Sequence, residues 1–346
     1  MAMRTVMGKH YRENRDTPLM KALSCNVRDC QFVEESGGVE GRGVFLFQTY
    51  TDVVSSLGIP HQALRLPPTL ETRIFYPRSY NPAQRQLLPL YLNIHGGGFV
   101  LCDATIDDSF CSAWANRTAM LVVSLNYRKA PLHPFPTATF DVAEVAKCVL
   151  ADGSLPIDHS RIAIGGFSAG GNLALSASQF PGLRGLIKAA VIYYPIVDFG
   201  HPPNEKLDSR PYKDGPKDTL EKTSWWLDGG YVSVGQNRRD PLLSPVYAAK
   251  EELPPLIYMI GAQWDMLRLE TQQMIHGLAG LGDKVGVEQE EDFEVGRYKW
   301  TLARGCPHGF THASPGRKKG GNSRRKKKEV AQGINEEWLK KSEVLS

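Results

Sequence analysis

The sequence predicts a doubly wound α/β fold with a mostly parallel sheet, and two observations lead to this prediction. Short apolar runs alternate along the chain with segments of helical periodicity, which is the pattern of repeated βα units. Runs such as 121–123 and 190–192 are apolar at consecutive positions, as expected for parallel strands covered on both faces. A chain of 346 residues is long enough to bury the core that such a fold needs.

The elements follow from this alternation. The predicted strands cover residues 73–76, 90–94, 120–126, 161–165, 189–194, 256–260 and 285–289. The predicted helices cover residues 107–119, 137–150, 169–179, 269–281 and 334–342. Two regions break the pattern, namely 1–68 and the polar, Pro- and Gly-rich stretch 201–240 with its Trp225, Trp226 and Tyr231. From the residues alone, these aromatic side chains either close over a core edge or form a lid over a pocket.

The charge of the chain is unevenly distributed. The net charge of +4 comes from 41 basic and 37 acidic residues, and eight of the basic ones lie within 317–328. Without those eight, 33 basic residues stand against 37 acidic ones, so nothing indicates a nucleic-acid-binding face. We interpret the basic run as a solvated loop in preference to a nuclear localisation signal or a patch for an anionic surface.

Cysteine usage and hydropathy narrow the class of protein further. The six cysteines form no Cys-x-x-Cys pair, so neither a disulfide framework nor a zinc site is expected. No apolar run reaches signal-peptide length near residue 1 or the ~18 residues that span a bilayer. We therefore expect a cytoplasmic protein with no metal, no cofactor, no membrane span and no nucleic-acid partner.

A Gly-x-Ser-x-Gly pattern at 166–170 carries the first chemical signal. It directly follows a predicted strand and opens a predicted helix, so Ser168 stands on a tight turn that its glycine neighbours make possible. The amide groups of the helix N-terminus lie beside such a serine. The pattern predicts a nucleophilic serine, although a plain Gly-rich strand–helix turn explains the motif alone equally well.

A second glycine motif strengthens that interpretation. His95, Gly96, Gly97 and Gly98 end a predicted strand, and three successive glycines allow neighbouring N–H groups to point at one spot. A tetrahedral oxyanion requires such a pair of donors. Phosphate binding is the rival use of a Gly-rich loop, but no Gly-Lys-Ser/Thr follows.

A serine nucleophile also needs a base and an orienting acid. In a fold of this type they follow the serine in the order acid, then histidine. Asp265 follows the predicted strand 256–260, and His308 comes after the last predicted strand. Asp198 is the rival acid and His312 the rival base.

Together these motifs resemble the hormone-sensitive-lipase-like branch of α/β-hydrolase carboxylesterases, the alpha/beta hydrolase fold-3 group. The resemblance covers roughly Leu88 to Phe310 and includes His95–Phe99, Gly166–Asn172 and the Tyr127–Pro136 segment with Asp141. It implies acyl transfer to Ser168, with His308 as base and Asp265 as acid. It also implies an oxyanion hole of Gly97, Gly98 and Ala169 N–H groups, with His95 and Gly96 supporting the loop.

The same resemblance predicts the domain organisation. The α/β-hydrolase core would comprise 69–200 and 241–346, and a helical cap would come from 1–68 and the insertion 201–240. Phe99, Phe167, Trp225 and Trp226 are the expected substrate-pocket residues.

The chain departs from the family pattern at several points. Phe167 and Leu132 stand where many members have acidic residues, and Asp265 and His308 are 43 residues apart, more than is usual. The excess falls in 294–305, and the basic stretch 316–328 is also atypical. Because neither segment shows the patterning of a buried element, our hypothesis is that both are foreign to the fold, as surface loops or gene-model artefacts.

We expect a serine hydrolase that cleaves small-molecule esters of short to medium acyl chains. One alternative keeps the triad but acts on a lactone, an arylformamide or a thioester. A second alternative is a ligand-binding protein on the same fold, as in the gibberellin receptors, which resemble this family but lack the histidine. The presence of His308 favours an enzyme.

Overall fold

The computed structural model describes residues 30–33, 42–47, 70–84, 86–210, 215–282 and 292–312. Its strands are β1 (Cys30–Val33), β2 (Arg42–Phe47), β3 (Leu70–Phe75), β4 (Leu88–Ile94), β5 (Leu121–Leu125), β6 (Ile157–Phe167), β7 (Ile187–Tyr193), β8 (Leu256–Trp264), β9 (Phe293–Val295) and β10 (Tyr298–Pro307). Its helices are α1 (Asp108–Thr118), α2 (Thr137–Ala151), α3 (Ala169–Ser178), α4 (Pro203–Asp208), α5 (Ser224–Tyr231) and α6 (Arg268–Ala279). Short 3-10 turns cover Pro82–Gln84, Ala104–Asp107, Pro245–Tyr247 and Lys250–Glu252.

The described strands form a single sheet in the order β1-β2-β3-β5-β4-β6-β7-β8-β10-β9. The strands from β5 to β10 in this order are parallel to one another, whereas β1, β2, β3 and β9 pair antiparallel. The carboxyl ends of the parallel strands therefore meet at one edge, where ligands bind in open α/β sheets. The predicted α/β fold is confirmed.

Helices cover the central strands on both faces, as the consecutive apolar positions predict. All seven residues of β4 are buried. Leu90, Leu92 and Ile94 pack in the cluster that includes α2 and α3, while Tyr91 packs in the cluster that includes α1. Each Å² of apolar surface buried on folding contributes roughly 25 cal/mol, so the two apolar clusters on either face of the sheet provide the main driving force for folding.

The segment 294–305 is part of the sheet, so the hypothesis that it is foreign to the fold is wrong. β10 runs parallel to β8, with Trp300 beside Met259 in the register, and the side chain of Trp300 is fully buried. A Cβ atom on Gly261 would lie 2.2 Å from the Trp300 ring, so the indole occupies the space above this glycine. The prediction missed this strand because it lacks the consecutive apolar run of the central strands. Buried Tyr298, Trp300 and Leu302 instead alternate with less buried residues, which is the period-2 pattern of a strand with one face covered.

Other expectations fall partly or wholly outside the described residues. Within 1–68 the structure describes β1 and β2, which extend one edge of the sheet, and the rest of the predicted N-terminal cap segment lies outside the described residues. The strand 285–289, the basic segment 316–328 and the helix 334–342 lie outside the described residues.

Cys148 on α2 is disulfide-bonded, which the scattered cysteine spacing did not indicate. None of the helices that the structure describes has the length and apolar character to cross a bilayer.

The burial of Trp300 gives a test of the corrected β10 assignment. We expect Trp300→Ala to lower the free energy of unfolding by about 3–5 kcal/mol, because it removes a fully buried indole and leaves a cavity. Urea denaturation followed by circular dichroism measures this loss. Val295→Ala, at a position that is 40% exposed on β9, is the control and should change stability little. An equally small change at Trp300 would contradict the assignment.

Candidate active site

Ser168 lies on a strained turn between β6 and α3. Its backbone has φ 53° and ψ −115°, a left-handed conformation that side chains rarely adopt, and its N–H donates to the Tyr193 carbonyl at 2.9 Å. Cβ atoms on Gly166 and Gly170 would lie 2.5 and 2.0 Å from the carbonyl oxygen of Ile94. The turn therefore packs directly against the end of β4, and only glycine fits at both flanking positions.

His308 and Asp265 meet Ser168 at the same sheet edge. His308 directly follows β10, and Asp265 directly follows β8. His308 Nε2 lies 2.9 Å from Ser168 Oγ, and His308 Nδ1 lies 2.7 Å from Asp265 Oδ2. The other oxygen of Asp265 accepts the Leu267 N–H at 2.9 Å, which fixes the carboxylate.

The electrostatic environment favours the protonated form of His308. Burial of the ring acts to lower the pKa of His308, but the carboxylates of Asp265 and Asp218 together raise it above its ordinary value. An imidazole in this position can accept the hydroxyl proton of Ser168, and the buried Asp265 holds the ring in the tautomer that this transfer requires.

The two rival residues are bonded elsewhere. Asp198 accepts the Gly200 N–H at 2.6 Å and the Tyr247 hydroxyl at 3.3 Å. His312 Nε2 lies 2.6 Å from Asp107, and its Nδ1 lies 2.9 Å from the Thr311 hydroxyl. In the described part of the chain, His308 is the histidine that contacts Ser168.

Comparison with known proteins identifies the family. A family model for the alpha/beta hydrolase fold matches residues 91–294. The chain belongs to this family.

Among its relatives, this hydrolase is 30% identical to the ethyl acetate hydrolase of Pseudomonas putida over 254 residues, which cover 72% of this chain and 75% of that protein. It is 28% identical to the arylesterase of Saccharolobus solfataricus over 59% of this chain and 67% of that protein. The solved structure of a hyperthermophilic esterase from the archaeon Pyrobaculum calidifontis superimposes with a TM-score of 0.64 and 25% identity, covering 98% of this chain and 91% of that one.

The glycine loop of this hydrolase lies beside the serine. Gly97 has φ 116°, and a Cβ atom there would lie 2.2 Å from the Leu101 carbonyl oxygen, so this position requires glycine. The N–H groups of Gly97, Gly98 and Ala169 form no hydrogen bond with another described residue. Donors left free beside a serine are suited to bind an oxyanion.

His95 is buried behind this loop. Its Nδ1 donates to the Gly96 carbonyl at 2.6 Å, and its ring stacks on Tyr127 with 4.5 Å between the centroids. Burial, aided by the nearby Lys129, lowers the pKa of His95 to about 4, so the ring is neutral at physiological pH. The side chain therefore braces the loop as a packed, uncharged ring.

A cavity of about 310 Å³ opens onto Ser168 and His308. Phe99, Phe167 and Trp226 line it, as expected for pocket residues. Trp225 does not, and its side chain is 68% exposed, so its assignment to the pocket is corrected. The reason is helical geometry: consecutive residues of α5 point about 100° apart, and Trp226 occupies the inward position.

The described residues of segment 201–240, which include α4 and α5, line one side of this cavity, and a buried ion pair attaches α4 to α6. Lys206 of α4 lies 2.5 Å from Glu270 of α6, and both side chains are at most 10% exposed. Glu270 also accepts the Val197 N–H at 2.8 Å. Breaking such a buried pair by removing one partner is costly, which favours a seated cap.

Several residues that surround Ser168, His308 and Asp265 carry no signal in the sequence. Tyr194 follows β7, and its ring packs on the His308 imidazole at 4.9 Å between centroids. Asp107 lies 2.6 Å from the ring of His312, four residues after His308. Asp218 reaches the acid-bearing loop from the insertion. None of the three belongs to a motif, so only tertiary contacts identify them.

The raised pKa of His308 predicts the pH dependence of hydrolysis. Because the imidazole must be neutral to accept a proton, we expect kcat/KM to fall as the pH falls through a midpoint above 6.5, the ordinary value for histidine. Initial rates of ester hydrolysis over a pH series measure the midpoint, with Ser168→Ala as the background. A midpoint below 6.5 would show that the carboxylates do not dominate over burial.

Proposed function

We propose that this chain hydrolyses carboxylic esters of small to medium acyl chains through an acyl-enzyme on Ser168. The observation that carries the proposal is the continuous hydrogen-bonded chain from Ser168 through His308 to Asp265. It stands beside free amide donors and opens into a cavity. This is the arrangement that nucleophilic acyl transfer needs.

In the proposed mechanism, Ser168 Oγ attacks the ester carbonyl carbon while His308 Nε2 accepts the hydroxyl proton. The N–H groups of Gly97, Gly98 and Ala169 stabilise the resulting oxyanion, and each such donor contributes about 3 kcal/mol to lowering the barrier. The imidazolium then donates its proton to the leaving alkoxide. Water, deprotonated by His308, attacks the acyl carbon to form a second tetrahedral intermediate. The bond from that carbon to Ser168 Oγ then breaks, the imidazolium returns its proton to Oγ, and the carboxylic acid leaves.

The size and lining of the cavity support the substrate class. Its volume of about 310 Å³ lies at the lower end of the range for small-molecule sites, roughly 300–1,000 Å³. Its lining is mainly apolar, which suits ester chains. The names of the relatives, an ethyl acetate hydrolase and an arylesterase, agree with compact ester substrates.

A substrate panel tests this function. We expect short and medium p-nitrophenyl esters to be cleaved faster than long-chain esters, lactones, arylformamides or thioesters. Ser168→Ala should reduce the rate by a factor of about 10⁴ or more, since it removes the nucleophile. A preferred lactone, arylformamide or thioester would reassign the substrate and retain the triad.

A fluorophosphonate probe separates an enzyme from a ligand-binding protein. Such a probe reacts with an activated serine, so the folded protein should be labelled at Ser168 and Ser168→Ala should not. Peptide mass spectrometry locates the label. An unlabelled serine in folded protein would contradict the enzymatic proposal.

Leu227 provides a test of chain-length selection. Its side chain packs against the glycine loop, because a Cβ atom on Gly98 would lie 2.6 Å from Leu227 Cδ2. We expect Leu227→Ala to enlarge the cavity and raise the relative kcat/KM for longer esters several-fold. Trp225→Ala, on the exposed side of the same helix, is the control and should leave the profile unchanged. An unchanged profile in both variants would show that Leu227 does not limit the chain.

The natural partner of this site is then a small-molecule ester. The cytoplasmic setting and the absence of a nucleic-acid partner stay predictions from the sequence.

A further inference from the structure

A buried carboxylate from the cap insertion reaches the triad. Asp218 belongs to the 201–240 insertion and is only 5% exposed. Its Oδ1 accepts the Leu220 N–H at 2.7 Å, and its Oδ2 accepts the Met266 N–H at 2.6 Å. Met266 directly follows Asp265, so the cap is bonded to the loop that carries the triad acid.

Two carboxylates accept neighbouring N–H groups of this loop, one each. The Met266 N–H goes to Asp218, and the next N–H, that of Leu267, goes to Asp265. These amides lie at the start of α6, where N–H groups lack helical partners and favour negative charge. Asp218 therefore helps to position Asp265, because it accepts the N–H group of the residue that directly follows Asp265.

The same cap segment also touches the loop of the base. The hydroxyl of Thr219, next to Asp218, lies 3.5 Å from the carbonyl oxygen of His308. Segment 218–220 thus spans from the acid-bearing loop to the base-bearing loop.

The charges around His308 come from several elements. Asp265 follows β8, Asp218 comes from the cap, and the neutral groups of Tyr194 and Ser168 complete the contacts. Burial, followed by the charge of Asp265, raises the pKa of Asp218, while the charge of His308 lowers it. Among the described residues, no lysine or arginine forms an ion pair with Asp218.

We propose that Asp218 is a positioning residue that fastens the cap to the acid-bearing loop and places a second negative charge beside His308. The strength of the base then depends on the cap being seated. This inference rests on the proposed role of His308 as general base, but it concerns a residue that does not itself touch the ester.

Asp218→Asn tests the proposal because it keeps the shape of the side chain and removes its charge. We expect the midpoint of His308 titration, followed by NMR and assigned with His308→Gln, to fall by about half a pH unit. The acid limb of kcat/KM should move to lower pH by the same amount. The plateau rate should fall several-fold, since the amide cannot accept both N–H groups. Asp218→Glu, which retains the charge, should restore the midpoint.

A matched control and a second readout keep the outcomes distinct. Glu221→Gln removes an exposed carboxylate three residues away and should leave the midpoint unchanged. Reduced thermal stability with an unshifted His308 midpoint in Asp218→Asn would mean a structural role only and would overturn the proposal. Because NMR titration needs no turnover, it tests Asp218 even if the wild-type protein cleaves no ester.

Discussion

The close approach of the serine turn to the end of β4 is the constraint on which the rest of the site depends. Gly166 and Gly170 leave no room for a Cβ against the Ile94 carbonyl, and Ser168 itself adopts a left-handed conformation. Strain of this kind costs about 1–3 kcal/mol and persists only where the surrounding core overdetermines it. Here the fully buried β4 and α3 do so, and the same contact brings the Gly97 loop beside the serine.

The cap is a second constraint, and it acts on each functional part of the site separately. Leu227 packs on the glycine loop, Asp218 bonds to the acid-bearing loop, and Lys206 pairs with Glu270 on the core helix. The cap is thus attached at three points, by packing, by hydrogen bonds and by a buried ion pair, and it excludes water from the site. Under the proposal for Asp218, it would also set the geometry and the electrostatics of the groups beneath it.

The sequence was sufficient where local chemistry determines structure. Consecutive apolar residues predicted the buried strands, and the two glycine motifs predicted turns that only glycine permits. β10 also carries a local signal, the period-2 alternation of Tyr298, Trp300 and Leu302 with less buried residues, although it lacks the consecutive apolar run of the central strands. The sequence failed where tertiary context decides. Which of two adjacent tryptophans faces the cavity depends on the rotation of α5, and the position of Asp218 depends on how the insertion folds back. Neither leaves a sequence motif.

The order of the strands along the chain has a consequence for how activity arises during synthesis. Ser168 and the histidine that contacts it are 140 residues apart, and β10 is the last described strand along the chain. Contacts of such separation form late in folding, because closing a long loop costs entropy first. A nascent chain that has completed β7 can form the serine turn, since the Ser168 N–H donates to the Tyr193 carbonyl, but it still lacks His308. The hydrogen bond between Ser168 and His308 can therefore form only once β10 has docked beside β8, because His308 directly follows β10.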